Sequence, residues 1–360
     1  MIGQNEIVSS LAPLNGVYFN IPNLNDYAAK IATLGKSIEH RSEHTNKLVS
    51  YVLYYDNNPE IFISMVWTHP EYQGQGYAKG LLKKLIHSNH KDVRLEVHKD
   101  NPAVHLYEDL GFCFTEQSSD ICNMCLQKRI AIMQPYVFPY LGYFHLIEAS
   151  NIFVFYDDVN YITRGWINRN RILLNDKDFL FTIPISKASQ NKLINETFSS
   201  VDEVWRNKFI RTISQGYRKA PYFSQVESLI TSVFSENHRS ISDLAISSVA
   251  KTYEYLGIPF NYTKSSDCSP ETRGLDKADR LIEIAKKQGY KRYVNAPGGV
   301  SLYTKEYFEA NGIELSFVKS IPIQYTQHSN TFVPWLSIID ILMFNDPTVI
   351  KGFLKSYQLT

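Results

Sequence analysis

The sequence predicts an α/β protein of two domains, and three observations carry that expectation. The chain has 360 residues, more than one module of roughly 100–200 residues would use. Strand-like apolar runs alternate with segments whose apolar residues recur at helical spacing. The alternation restarts at Ile130 with a strand–helix–strand unit, so a first domain, 1–127, is followed by a second, 128–360.

The elements follow in order. Residues 24–41 read as a helix. The runs LVSYVLYY (48–55) and EIFISMVW (60–67), separated by DNNP, signal a hairpin. After a glycine-containing loop, Ala78, Leu81, Leu82, Leu85 and Ile86 share one face of a helix. VRLEVH (93–98) is a strand, and AVHLYEDLGF is a short helix stopped at Gly111. From Ile130 come the strand IAIM, the proline turn QPYVFP, the helix YLGYFHLIEAS and the strand NIFVFYDDV. Residues 201–256 are mainly helical, closing at Gly257 with Pro259 beyond, and helix and strand then alternate to the end. The second domain is therefore α/β with a helical region.

Composition narrows the function. With 44% apolar and 20% charged residues, both halves should bury cores. A formal charge of +1, from 37 Lys+Arg against 36 Asp+Glu, provides no global field for a phosphate backbone. Nucleic-acid binding is therefore not expected, although a local basic patch stays open. No apolar run approaches the ~18–20 residues of a membrane helix. The opening MIGQNEIVSS is polar, without the Lys/Arg of a signal peptide. A cytoplasmic, reducing setting is expected. Of Cys113, Cys122, Cys125 and Cys268 only the middle two have C-x-x-C spacing. With no second pair, thiols are expected and no metal.

The informative stretch of the first half is WTHPEYQGQGYAKGLL. Glycines that end a strand and open a helix leave convergent backbone N–H groups beside the positive end of the helix dipole. Gly74 and Gly76 let backbone approach an anion, and Gln73 braces the loop; an ordinary strand-to-helix turn is the alternative. Neither the P-loop spacing nor G-x-G-x-x-G fits, since position 79 is Lys79.

This loop (Gln73, Gly76, Ala78), followed by Asn101, Ala103, Tyr107, Gly111 and Phe112, resembles the GNAT acyltransferase superfamily over residues 1–127. The resemblance implies a mixed sheet with helices on both faces and acetyl-CoA or a close relative as donor. The implied donor contacts are Trp67, Thr68, Gln73, Gly74, Gln75, Gly76, Tyr77, Ala78 and Asn101. Asp100 competes for the place of Asn101, because one residue fewer than usual precedes the tyrosine. Acyl transfer to an amine needs a polarised carbonyl, a base for the amine and a proton for the thiolate. Tyr107 matches the family's acid, backbone N–H groups near Val66–Thr68 would polarise the carbonyl, and Glu96 or His98 would be the base. The plainer readings are a core aromatic for Tyr107 and a surface carboxylate for Glu96.

In the second half, Asp157 and Asp158 end a strand, and Arg164, Arg169 and Arg171 interleave with Tyr161 and Trp166. Strand carboxyl ends are where ligands sit in open α/β sheets, and guanidinium groups beside rings suit an anionic, ring-bearing ligand. An internal Asp/Arg network is the alternative. QPYVFPYLGYF, DDVNYITRGWINRNRI, TIPI, YVNAPGGVSLY and FVPWLSIIDIL resemble the WbqC-like family over 130–360. That resemblance implies surface-polysaccharide and O-antigen biosynthesis, with sugar nucleotides as context. Candidate substrate residues here are Gln134, Tyr143, Asp157, Asp158, Arg164, Trp166, Asn168, Arg169 and Asp340. The opening also looks like that of nucleotidylyltransferases without their histidines, which favours a Rossmann-like sheet. Gly298 and Gly299 either cradle a phosphate or make a turn. Asp340, within an apolar helix, is either a paired buried residue or a site carboxylate.

The joint expectation is an acyl-CoA-dependent N-acyltransferase acting on a nucleotide-linked amino sugar. Its second half binds the sugar, further modifies it, or is itself the main sugar-modifying transferase. A homo-oligomer is compatible with this.

Overall fold

The computed structural model describes residues 2–17, 20–56, 59–118, 120–187, 189–238, 240–328 and 331–360. Asn57 and Asn58 of the DNNP turn lie outside them. The chain divides into two compact units, residues 1–128 and 129–360.

The first unit runs α1 (Gln4–Leu11), α2 (Leu24–Leu34), β1 (Lys36–Arg41), β2 (Leu48–Asp56), β3 (Ile61–Thr68), α3 (Tyr77–His87), β4 (Val93–His98), α4 (Ala103–Asp109), β5 (Cys113–Gln117) and β6 (Ile121–Leu126). The expected single helix over 24–41 is corrected to a helix and a strand. Asn23 caps α2 by accepting the Asp26 N–H, and the helix stops at Gly35, where a Cβ would lie 2.7 Å from the Ile31 carbonyl oxygen. Lys36–Arg41 then pairs antiparallel with β2, so tertiary pairing overrides a helix-compatible composition.

The sheet order is β1-β2-β3-β4-β6-β5, with β3 and β4 parallel. Leu81, Leu82, Leu85 and Ile86 of α3 and Tyr107 of α4 pack with Val93, Leu95 and Val97 on one face. On the other, α1 and α2 bury Ile7, Leu11, Ala28 and Ile31 with Tyr51, Leu53 and Trp67. Cys122 and Cys125 are three apart on a strand and so point to opposite faces, a geometry in which they do not converge on one ion.

The second unit runs β7 (Ile130–Met133), α5 (Leu141–Glu148), β8 (Ile152–Phe155), β9 (Arg169–Leu174), β10 (Lys177–Thr182), β11 (Ile185–Ser186), β12 (Phe198–Ser199), α6 (Glu203–Tyr217), α7 (Phe223–Ser235), α8 (Ile241–Leu256), β13 (Tyr262–Lys264), α9 (Ser265–Cys268), α10 (Lys277–Lys287), β14 (Arg292–Asn295), α11 (Lys305–Ala310), β15 (Glu314–Ser320), α12 (Ile338–Phe344), α13 (Pro347–Leu354) and β16 (Tyr357–Leu359). Its main sheet has the order β13-β8-β7-β14-β15-β16, parallel except for β16. In order of appearance along the chain this is 3-2-1-4-5-6, the doubly wound Rossmann arrangement, with its switch point between β7 and β14. Successive strand residues bury to alternate faces: Ala131, Phe153 and Phe155 to one core, Ile130, Ile132 and Val154 to the other.

Outside that sheet, β9 and β10 form a hairpin joined by Asn175 and Asp176, whose φ values of 51° and 59° match a type I′ turn. The segment after β7 is clamped to this hairpin. Asn170 donates to the Phe138 carbonyl at 2.7 Å, and Val137 N–H donates to the Ile167 carbonyl at 3.1 Å. The hairpin therefore stands over the carboxyl end of the central strand.

Candidate active site

In the first unit, Gly74 and Gly76 have φ of 75° and 84°, values glycine adopts without the Cβ penalty. Nothing lies within 4 Å of the Cβ position at either, so backbone conformation rather than crowding requires the glycines. Gln73 donates to the Thr68 carbonyl and Gln75 to the Glu71 carbonyl, which ties the loop to the end of β3. Gly76 caps α3 with no side-chain bond, and the first amide bonded back is that of Gly80. The N–H groups of Gly74 through Lys79 thus have no acceptor among the described residues, an array suited to the oxygens of a pyrophosphate.

Next to this loop the sheet splits. β3 and β4 pair only from Ile61↔Val93 to Ile63↔Leu95, although β3 continues to Thr68 and β4 to His98. Along Ser64–Thr68 every second backbone N–H points away from β2 into a gap that β4 does not fill. Sequence reading did not find the split, since no residue type marks where two parallel strands diverge.

The predicted acid and base flank β4 on opposite faces. Tyr107 is buried with Leu95 and Val97, its ring edge-on to Phe112 at 5.8 Å, and its hydroxyl has no hydrogen-bond partner among the described residues. Burial pushes its phenol up to about 12. Glu96 alternates with Leu95 and Val97, so it is exposed on the other face together with His98, whose Nδ1 accepts from the Asp100 N–H. The Asn101 carboxamide oxygen accepts the Ala103 N–H and so serves the start of α4. The Trp67 indole stacks on Tyr51 at 5.3 Å in the α1/α2 core, which leaves its backbone as the part that can meet a donor at the end of β3. The Thr68 hydroxyl is paired with Ser50 at 2.9 Å, while Tyr77 meets the His40 ring at 4.8 Å.

In the second unit several predicted substrate residues prove to be internal. Asp157 accepts from Ser265, from the Ser266 N–H and hydroxyl, and from Asn195. Asp158 accepts from Ser265, from Arg273 Nε at 2.8 Å and from Arg280 Nη2 at 2.7 Å. Burial raises the Asp158 carboxyl, but the bonds from Arg273, Ser265 and Arg280 outweigh it and hold it below the ordinary range. The Asp/Arg network therefore exists, but with arginines more than a hundred residues away, which no local pattern announces. Asn168 is buried between the Tyr161 hydroxyl and the Ile183 carbonyl. Tyr143 donates to the Gln134 carbonyl, which places Gln134 at the carboxyl end of the central strand. Asp340 is fully buried and accepts from Tyr217, Tyr325 and Gln327; burial raises its carboxyl despite those donors. Gly298 and Gly299 form a short 3₁₀ turn in which the Gly299 N–H is already bonded to the Ala296 carbonyl.

Arg164, Trp166 and Arg169 behave differently. Arg164 is exposed and has no carboxylate partner among the described residues. Trp166 is 41% exposed, with the guanidinium groups of Arg169 and Arg171 at 5.6 and 5.2 Å from its ring centre. Among the described residues Arg169 spends only Nε, on the Gly165 carbonyl. This is the local basic patch that the overall charge of the chain conceals.

Comparison with known proteins follows the same division. The sequence model of the WbqC-like protein family matches residues 134–351. That of the acetyltransferase (GNAT) family matches residues 28–112, so the first unit carries an N-acyltransferase domain, and the donor of that family is acetyl-CoA. An uncharacterized protein of Mycobacterium tuberculosis, Rv1507c, is 28% identical over 231 residues, 63% of this chain and 98% of its own. Among solved structures, the ribosomal-protein-S18-alanine N-acetyltransferase from Escherichia coli aligns with 35% of this chain and 89% of its own at 19% identity, with a TM-score of 0.30. Ard1 from Thermoplasma volcanium aligns with 35% of this chain and 93% of its own at 15% identity, with a TM-score of 0.30. No helix among the described residues is long and apolar enough to cross a membrane.

Proposed function

The chain belongs to the WbqC-like protein family and carries a GNAT acetyltransferase domain ahead of the matched region, and from that premise we propose that it acetylates a nucleotide-linked amino sugar destined for surface polysaccharide. The observation behind this reading is the presence in one chain of two complementary features. One is a split sheet with an unpaired amide loop; the other is an exposed arginine and tryptophan patch in which, among the described residues, Arg164 and Arg169 have no carboxylate partner.

Acetyl-CoA supplies the activated thioester. The amides of Gly74–Lys79 bind its pyrophosphate, and backbone N–H groups of Ser64–Thr68 that open into the gap polarise the carbonyl. The acceptor nitrogen attacks the carbonyl carbon, the C–N bond forms, and the C–S bond breaks. Glu96 takes a proton from the amine on one face of the sheet, while Tyr107 gives its proton to the thiolate on the other. In the second unit the carboxylates of Asp157, Asp158 and Asp340 are consumed by internal partners, which favours a capture module over a second catalytic centre. Arg164, Trp166 and Arg169 are its contacts.

The test is thiol release from acetyl-CoA against a panel of amino-sugar nucleotides and the corresponding free amino sugars. Acetylated product should form with the former at the lower KM. Tyr107→Phe should lower kcat by about 10²–10⁴-fold with little change in KM. Equal efficiency with free amino sugars, or a loss confined to KM, would overturn the acceptor assignment and the acid role respectively.

A further inference from the structure

The arginines of the second unit fall into two populations. Arg273 and Arg280 are neutralised by Asp158. Arg164, Arg169 and Arg171 share a single carboxylate among the described residues, Asp178, which reaches Arg171 Nη1 at 3.2 Å. Arg171 is also under-satisfied, since its Nε is buried with no acceptor. A guanidinium in that state gains by turning onto an anionic oxygen.

A second exposed tryptophan belongs to the same neighbourhood. The chain from Trp335 to Ile338 is bonded to the Arg strand and to the loop leaving β7. Ser337 N–H donates to the Arg171 carbonyl at 2.8 Å, its hydroxyl to the Phe138 carbonyl at 2.6 Å, and Ile338 N–H to the Pro139 carbonyl at 2.8 Å. Trp335 is 65% exposed, its ring edge-on to that of Tyr140 with centroids 6.1 Å apart.

Backbone strain converges here as well. Among the residues with positive φ, Asn46, Asn175 and Asp176 are of types that tolerate it. Of the other four, Lys187 at 51° lies apart, while Phe138 at 43°, Arg164 at 60° and Trp335 at 61° belong to the segments that meet around β9. Strain of this kind is kept where the fold must present particular side chains.

We infer that Arg169, Arg171, Trp166 and Trp335 form a binding site for the diphosphate and an attached ring of a nucleoside-diphosphate sugar, at the carboxyl end of the central strand β7. The two guanidinium groups take the diphosphate oxygens and an exposed indole face takes the ring. The site rests on the acceptor reading above, and adds Arg171 and Trp335 to it as the residues that set the phosphate requirement.

The experiment titrates the full-length chain with UDP and dTDP, with uridine and thymidine as phosphate-free controls, following tryptophan fluorescence and heat. The diphosphates should bind and the nucleosides should not. Arg171→Met should raise Kd by about tenfold to a hundredfold, and Arg171→Lys by less, because it keeps the charge but not the fork. Trp335→Ala should weaken binding and reduce the fluorescence change, and a melting curve taken alongside shows that each variant is folded. Absence of diphosphate binding by the folded wild-type chain, or an unchanged Kd in folded Arg171→Met, overturns the site. Diphosphate binding that is lost in Arg171→Met, without acetylation of any amino-sugar nucleotide, keeps the site and removes the acceptor reading. Acetylation with a KM indifferent to Arg171 and Trp335 does the reverse.

Discussion

Replacing Asp158 by Asn removes one charge from a side chain that is 0% exposed and hardly changes its shape. Two guanidinium groups lose their partner. Arg273 is 47% exposed and turns to water, so its share is that of a surface pair, ~0–1 kcal/mol. Arg280 is 6% exposed, 2.7 Å from the carboxylate and packed over the Tyr156 ring at 4.7 Å. Leaving it unpaired costs about 3–5 kcal/mol. In a unit of this size each kcal/mol moves Tm by about 2–4 °C, so the transition of the second unit should fall by roughly 6–24 °C. Because the folded carboxyl lies below its ordinary value, the stabilisation is fully present above the unfolded pKa of about 3.9 and is lost as pH falls through the folded value. The gap between wild type and variant should therefore close on acidification below about pH 4. Scanning calorimetry of the full chain from pH 7 downward measures both. An unmoved transition combined with a raised acceptor KM would refute the structural role and return Asp158 to the substrate.

Two further outcomes are expected. Gly76→Ala places a Cβ in open space but at φ 84°, so the cost is about 1–2 kcal/mol of backbone strain and the fold persists. KM for acetyl-CoA should rise by roughly tenfold as the loop amides turn away, with Tm little changed; a collapse of Tm with KM intact would show the loop to be only a turn. His145 is buried with Nε2 against the Phe353 carbonyl and Nδ1 against the Ser320 hydroxyl, and burial lowers its pKa. Its neutral form is the folded one, so the second unit should lose stability as pH drops below the unfolded value of about 6.5, until the folded value is reached. His145→Gln should flatten that part of the pH–Tm curve, and an unchanged slope would assign it to other groups.

Much of the architecture was legible because it is written in local spacing. The face Leu81, Leu82, Leu85, Ile86 and the stop at Gly257, φ 63°, are decided within a few residues. Lys36–Arg41 has a composition that suits a helix, and only pairing with β2 makes it a strand. The hairpin over Arg169–Thr182 has a local signal in the Asn175–Asp176 pair between two alternating runs.

The sequence by itself determined the loop of Gly74 and Gly76, the punctuation of the helices and the basic, aromatic character of residues 164–171, since each depends on neighbours along the chain. Tertiary structure alone decided what those groups face. Asp158 meets Arg273 and Arg280 at separations of 115 and 122 residues, Trp67 turns into the core, and β3 parts from β4 after Ile63. A carboxylate reads the same in sequence whether it is neutralised inside a core or left free for a ligand. The difference is set by which distant side chains the fold brings within hydrogen-bond reach, and by how much water the packing leaves between them.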